Sequence, residues 1–173
     1  TKLQEFTASF VTHAEQLKVG DPLDEETEVG PIINTKEIER ILDWIDEAKA
    51  DGAEILCGGH RLPNNCIEPT VILNPKPDAK VMNQELFGPV AVIIPFTDLD
   101  DAIEQANSVP FGVQGCVFTE NLDNALKVAN KMKARSVMIN EHAAFRVDWM
   151  PFGGDEEAGH GTGGIPYSMQ EMT

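Results

Sequence analysis

The sequence predicts an α/β protein: an open, parallel-rich sheet with flanking helices, built as a single domain over residues 1–173. Three observations predict it. Short apolar runs alternate with helix-periodic segments between residues 90 and 140, at the spacing of βαβ crossovers. Two stretches near the start carry apolar residues at a helical period. No internal repeat or linker divides the chain, and 173 residues are enough to bury roughly 70% of the surface of the unfolded form.

Taken in order, Leu3, Phe6, Phe10, Ala14 and Leu17 recur on one face, so residues 1–18 are expected as an amphipathic helix. Gly20-Asp21-Pro22 ends it, and a polar loop runs to Pro31. Thr35 is expected to cap a second helix, with Ile38, Ile41, Leu42, Ile45 and Ala48 as its buried stripe and Gly52 closing it. Short strands follow at residues 54–57 and 67–73, separated by the turn residues Pro63, Asn64 and Asn65. The regular part then reads strand 90–95, helix 98–107, strand 114–119, helix 121–133 and strand 136–140. Parallel sheets place ligands at the C-terminal ends of their strands. The glycine-rich, aromatic segment 141–164, with almost no helix or strand pattern, is therefore where a site is expected.

Charge and composition remove several function classes. A net charge of −16 would repel a phosphate backbone, so no nucleic-acid partner is expected. No apolar run approaches the ~20 residues that span a bilayer, and no membrane partner is expected. The opening residues lack the apolar core and cleavage site of a secretory signal, and they begin with Thr rather than Met. Cys57, Cys66 and Cys116 are odd in number and have no metal-ligand spacing, which suits a reducing cytoplasm and implies neither disulfide nor metal. His13, His60, His142 and His160 form no ligand pair. Glu141-His142 reads either as a dyad at a strand end or as a solvated loop pair.

The segment Asn-Gln-Glu-Leu-Phe-Gly-Pro-Val at residues 83–90 carries the most specific chemistry. In an extended chain Glu85 and Phe87 point to one side, and Gly88-Pro89 stops the run. A carboxylate beside an aromatic ring is what a ribose and a flat heterocycle need. An ordinary loop leading into a strand would read the same way.

Other fragments lie around it in a fixed order: Val19-Gly20-Asp21-Pro22, Glu28-Val29-Gly30-Pro31, Gly52-Ala53-Glu54, Cys57-Gly58-Gly59 and Glu68-Pro69-Thr70-Val71. After the central motif come Phe111-Gly112, Val117-Phe118-Thr119, Asn140, Pro151-Phe152-Gly153-Gly154 and Gly159-His160-Gly161-Thr162-Gly163-Gly164. With these residues the chain resembles the C-terminal part of the catalytic domain of the NAD(P)-dependent aldehyde dehydrogenase superfamily, over almost its whole length.

The resemblance implies roles. Glu85 would accept hydrogen bonds from the nicotinamide ribose hydroxyls. Phe87 would pack against the ribose and nicotinamide of NAD or NADP. Phe152 would line the aldehyde pocket, or serve only as a buried loop anchor. Phe145 and Arg146, with Asp148 and Trp149, lie in the loop that contributes to substrate choice. A guanidinium at Arg146 suits a carboxylate or phosphate on the substrate, or it pairs with Asp148. The family's nucleophilic cysteine, general-base glutamate and glycine-rich dinucleotide half match nothing in this chain, so no catalytic residue is assigned. Cys116 is expected to be a buried, inert thiol in its apolar run. Glu156 and Ala158 stand where the family commonly has Lys and Ser, and the chain stops before the family's terminal strand.

The leading expectation is thus a portion of an enzyme that oxidises an aldehyde to an acid through a cysteine thiohemiacetal, inactive as an isolated chain. Its partners would be a small aldehyde, the remainder of the enzyme chain, and further copies in a dimer or tetramer. Two alternatives stay open: a relative acting on acyl-thioesters or acyl phosphates with the same fold, and a non-enzymatic fragment serving as a structural or interaction module.

Overall fold

The structure, a computed structural model, describes residues 2–173; Thr1, the first residue of the expected opening helix, lies outside them. The chain divides into two compact units, Thr1–Pro95 and Phe96–Thr173. In the first, the elements are α1 (Lys2–Gln16), α2 (Thr35–Ala50), β1 (Glu54–Cys57), β2 (Thr70–Leu73), the single turn α3 (Lys80–Asn83) and β3 (Val90–Ile93). The sheet order is β1-β2-β3.

β2 organises this unit because it is apolar on both sides. Alternation sends Ile72 to one face, where it joins Ile38, Ile41 and Ile45 of α2 with Ile67. Val71 points to the other face and packs with Ala14 of α1 and Ile93 of β3. A strand covered on both faces reads as a continuous apolar run rather than an alternating one, which is the sequence Thr-Val-Ile-Leu. Fully burying each isoleucine contributes about 1.5–3 kcal/mol of hydrophobic stabilisation. β2 and β3 run parallel, with Thr70 opposite Val90 and Leu73 opposite Ile93.

Several expectations change here. The second helix is capped by Asn34, whose side chain accepts from Glu37 N at 2.9 Å; Thr35 is already inside the helix. The strand expected at 67–73 begins at Thr70, because Pro69 has no N–H for the ladder, and Ile67 instead bridges Arg61. β1 pairs with β2 antiparallel, so the sheet is mixed. Of the expected α1 stripe only Ala14 is buried, and Phe6 remains 56% exposed. α1 rests on the sheet along Val11 and Ala14, against Leu56 and Leu73.

The second unit contains α4 (Leu99–Ala106), β4 (Phe111–Gly112), β5 (Gln114–Val117), α5 (Leu122–Lys131), β6 (Ser136–Ile139), β7 (Asp155–Glu156) and α6 (Ile165–Glu171). The expected crossover is present: β5 and β6 pair in parallel, from Gln114 opposite Ser136 to Val117 opposite Ile139, with α5 between them in sequence. Asp98 caps α4 and Asn121 caps α5 through their side chains. Neither α6 nor the antiparallel pair of β4 and β7, in which Phe111 faces Glu156, was expected. Two-residue strands carry no periodicity to read.

α4 buries Ile103 and α5 buries Ala125 and Val128, and the two helices are tied by Asp100, which lies 2.8 Å from both Lys127 Nζ and Lys131 Nζ. Hydrogen bonds from these two ammonium groups hold the Asp100 carboxyl down at about 2, from an ordinary 3.8. A carboxyl whose pKa is lower in the folded state adds stability above its unfolded pKa, lost as pH falls through the folded value. Asp100→Asn should therefore lower the urea midpoint at pH 7, and the gap from the unmodified protein should close between pH 4 and pH 2. Because the groups are exposed, 1 M salt should shrink the gap at pH 7. A gap unchanged at pH 2 would count against this electrostatic account.

Candidate functional site

Residues 84–89 link α3 to β3 without regular structure. Leu86 packs on the isoleucine core beneath α2. A Cβ at Gly88 would lie 2.9 Å from Ile41 Cδ1, so a side chain there would have to displace a buried methyl group of α2. With Leu86 turned inward, the neighbours Glu85 and Phe87 turn outward, as alternation predicts. Phe87 is 74% exposed, which excludes a core role for its ring within this unit. The Glu85 carboxylate has no hydrogen-bond or ion-pair partner among the described residues. Its backbone carbonyl accepts from Arg40 Nη1 at 3.2 Å. Arg40 is itself oriented by Glu37 Oε2, at 2.8 and 2.6 Å from Nε and Nη2, and by stacking 4.3 Å from the Trp44 ring. Gly88 and Pro89 also border an open apolar groove of about 400 Å³, whose far wall is Phe10, His13 and Ala14 of α1 with Leu17 just beyond it.

In the second unit the expected site segment follows Asn140, which takes a left-handed φ of 56°. Its amide accepts from Thr119 N at 2.8 Å and donates to Thr119 O at 3.1 Å. The two strand exits are thereby clamped where the chain leaves β6. Beyond the clamp, Phe145 N donates to His142 O and Gln114 Nε2 donates to Phe145 O at 3.2 Å. Phe152 and Gly163 exchange two backbone bonds, so segment 141–164 contains a bridge and β7 where little strand structure was expected.

These anchors bring Arg146 and Phe152 together: the guanidinium sits 4.2 Å from the Phe152 ring centroid, inside cation–π range. The alternative Arg146–Asp148 pair does not form, and Arg146 has no ion-pair partner among the described residues. Phe152 is half-buried, held by its backbone pair with Gly163, so its ring is both loop anchor and platform. Phe145, one residue before Arg146, is 40% exposed. Glu141 and His142 are both exposed, with Oε1 and Nε2 3.5 Å apart, the geometry of a solvated pair. Glu156, at the position where a lysine was expected by resemblance, has a left-handed φ of 50° and approaches Lys133 at 3.8 Å. Gln114 and Arg40 were not singled out in the sequence, because nothing local marks a polar residue as the donor to a distant loop carbonyl.

All three cysteines are free. The buried one is Cys66, whereas Cys116 is half-buried, since β5 is only partly covered along its length. Burial pushes the half-buried Cys57 thiol above its ordinary 9.0, against a partly offsetting backbone N–H from Val71. Among the described residues no group of three His, Cys, Asp or Glu side chains could hold a metal, and no helix is long and apolar enough to cross a membrane.

Comparison with known proteins gives a consistent set of relatives. The sequence model of the aldehyde dehydrogenase family matches residues 2–173. The chain is 40% identical over 168 residues to a 3-sulfolactaldehyde dehydrogenase of Priestia aryabhattai, covering 97% of this chain and 35% of that protein. Among solved structures it superposes on aldehyde dehydrogenase 21 of Physcomitrella patens in complex with the reaction product succinate. The TM-score there is 0.91 at 35% identity, covering 98% of this chain and 35% of that one. It also superposes on the glyceraldehyde-3-phosphate dehydrogenase GapN of Methanocaldococcus jannaschii complexed with NADP, with TM-score 0.90, 36% identity, and 98% and 36% covered. The chain spans about a third of the length of these relatives.

A thiol with a raised pKa is mostly protonated at neutral pH and reacts slowly. Cys57 should be alkylated by iodoacetamide more slowly at pH 7.5 than a free cysteine peptide, with the rate still climbing above pH 9. Peptide mass spectrometry over a pH series reads this directly; fast labelling of Cys57 at neutral pH would contradict it.

Proposed function

This chain belongs to the aldehyde dehydrogenase family, and on that premise we propose that it is part of an enzyme that oxidises an anionic aldehyde to its acid with NAD or NADP. The mixed α/β fold matches solved members of the family. Glu85 and Phe87 hold the nicotinamide side of the cofactor, and Arg146, Phe145 and Phe152 hold the aldehyde. None of the three cysteines acts as nucleophile: Cys66 is buried, burial raises the pKa of Cys57, and Cys116 lies half-buried within the β5 ladder. The reacting thiolate and the general base are supplied by other parts of a longer catalytic chain, and residues 1–173 alone produce no NADH. The parent works in the reducing cytoplasm, which free cysteines suit, as a homo-oligomer.

The unpartnered Glu85 carboxylate and the outward Phe87 ring fit a nicotinamide ribose. One carboxylate accepts from both hydroxyls of a diol, and an aromatic face suits the flat ring. A nicotinamide held there by Glu85 and Phe87 would supply the acceptor for the hydride that leaves the substrate carbon. Glu85 contributes orientation: its carbonyl is pinned by Arg40 while its carboxylate stays free to accept. Leu86, half-buried against the isoleucine cluster between the two, keeps both side chains facing outward.

The single observation that carries the anionic preference is Arg146, stacked on Phe152 and without an acid partner among the described residues. A guanidinium held by a ring keeps its N–H edge for a carboxylate, sulfonate or phosphate. One relative is named for 3-sulfolactaldehyde, one for glyceraldehyde-3-phosphate, and a third was solved with succinate, all anionic compounds that support this reading. Others are named for the cationic betaine aldehyde and the neutral retinaldehyde, so the preference rests on Arg146 itself.

In the enzyme at its full natural length, Arg146→Ala should lower kcat/KM for succinic semialdehyde by about 10–100-fold, the scale of a hydrogen bond to a charged group. Butanal, of the same chain length and uncharged, should change less than about twofold on this account. An equal loss for both aldehydes would sink the anionic reading. Glu85→Gln should raise the KM for the nicotinamide cofactor by about tenfold through loss of charge-assisted hydrogen bonds; an unchanged cofactor KM and kcat would remove Glu85 from the cofactor site.

A further inference from the structure

We infer that Gln114 is a positioning residue: its side-chain amide holds the Phe145 carbonyl and so fixes the Arg146 guanidinium over the Phe152 ring. The inference rests on the anionic-aldehyde reading of Arg146 and adds a residue that makes that reading geometrically possible.

The loop after Asn140 has few fixed points. The Asn140–Thr119 clamp holds its start. Further along, Asp148 O accepts from Ile165 N at 2.8 Å. Between these points, among the described residues, the backbone is held by local turns from Phe145 N to His142 O and from Met150 N to Val147 O and by one tertiary bond, from Gln114 Nε2 to Phe145 O. Gln114 can act as a fixed peg because its own backbone is in β5, paired with Ser136 of β6.

The geometry makes this bond decisive for the next residue. The Phe145 carbonyl and the Arg146 N and Cα lie in one rigid peptide plane. Pinning the oxygen therefore sets where the Arg146 side chain starts. Its other end is set by the Phe152 ring, 4.2 Å away, and that ring is held by the backbone pair with Gly163. An arginine loses much rotamer freedom when ordered, and two fixed ends remove that loss before the anion arrives. Gln114 itself donates to Phe145, not to Arg146, so its effect passes through the loop.

The test uses Gln114→Met, which keeps length and neutrality but has no donor, and Gln114→Asn, whose amide is one methylene too short to reach. In the enzyme at its full natural length, each should lower kcat/KM for succinic semialdehyde by about 5- to 10-fold, the scale of one net hydrogen bond. The loss should lie in KM with kcat nearly unchanged, butanal should be unaffected, and neither variant should add a loss in an Arg146→Ala background. Equal losses for both aldehydes, or a selective loss that persists without Arg146, would overturn the inference. If Arg146→Ala leaves the ratio of the two aldehydes unchanged, the anionic reading fails by itself. The positioning claim is then decided by the Arg146 Nε–H NMR signal. Faster solvent exchange of this proton in Gln114→Met upholds the claim, and an unchanged rate overturns it.

Discussion

Backbone carbonyls in irregular segments must find donors, and in this protein that requirement fixes the two segments that carry the candidate site. Glu85 O is met by Arg40 and Phe145 O by Gln114. Thr119 O is met by Asn140, and Phe152 O by Gly163. In the first three cases the donor is a side chain rooted in a helix or at a strand edge or exit, so a loop inherits the rigidity of a regular element. The functional side chains are left outward with their own polar groups uncommitted. Glu85 keeps both carboxylate oxygens, and Arg146 keeps its N–H edge.

The rooted donors depend in turn on packing. Arg40 is in place because α2 is held down by Ile38, Ile41 and Ile45 on Ile72. The same helix passes close to Gly88, and the half-buried Leu86 packs against its isoleucine cluster. Removing one of these isoleucines would leave a cavity costing about 2–5 kcal/mol, and would loosen the segment that presents Glu85. In the second unit, the β5–β6 ladder does the corresponding work for Gln114 and Asn140. There the hydrophobic support is thinner, with Ile103, Ala125 and Val128 as its buried members. Polar ties such as Asp100 with Lys127 and Lys131 supplement it.

Much of this was legible in the residues. The α2 stripe, the apolar runs of β2 and β3, and the β5–α5–β6 crossover all carry strong periodicity or length signals, and all are present. Caps and edges were read less well. Asn34 rather than Thr35 caps α2, since both are good cap residues and only the tertiary path of the chain chooses between them. The antiparallel β1–β2 and β4–β7 pairings could not be read, because strand direction depends on the path of the connecting loop. Cys116 lies in an apolar run and was expected to be buried. It is half-covered because β5 is only partly buried along its length.

By itself the sequence determined the longer elements, the family motifs and the alternation that turns Glu85 and Phe87 to one side, because each depends on neighbours a few residues apart. Only the tertiary structure decided that Arg146 stacks on Phe152 and leaves Asp148 alone, and that Gln114 and Arg40 hold the two loops. Those choices are made between residues as distant as Gln114 and Phe145, or Arg40 and Glu85. At such separations no local period records a contact; the folded backbone sets which donor reaches which carbonyl.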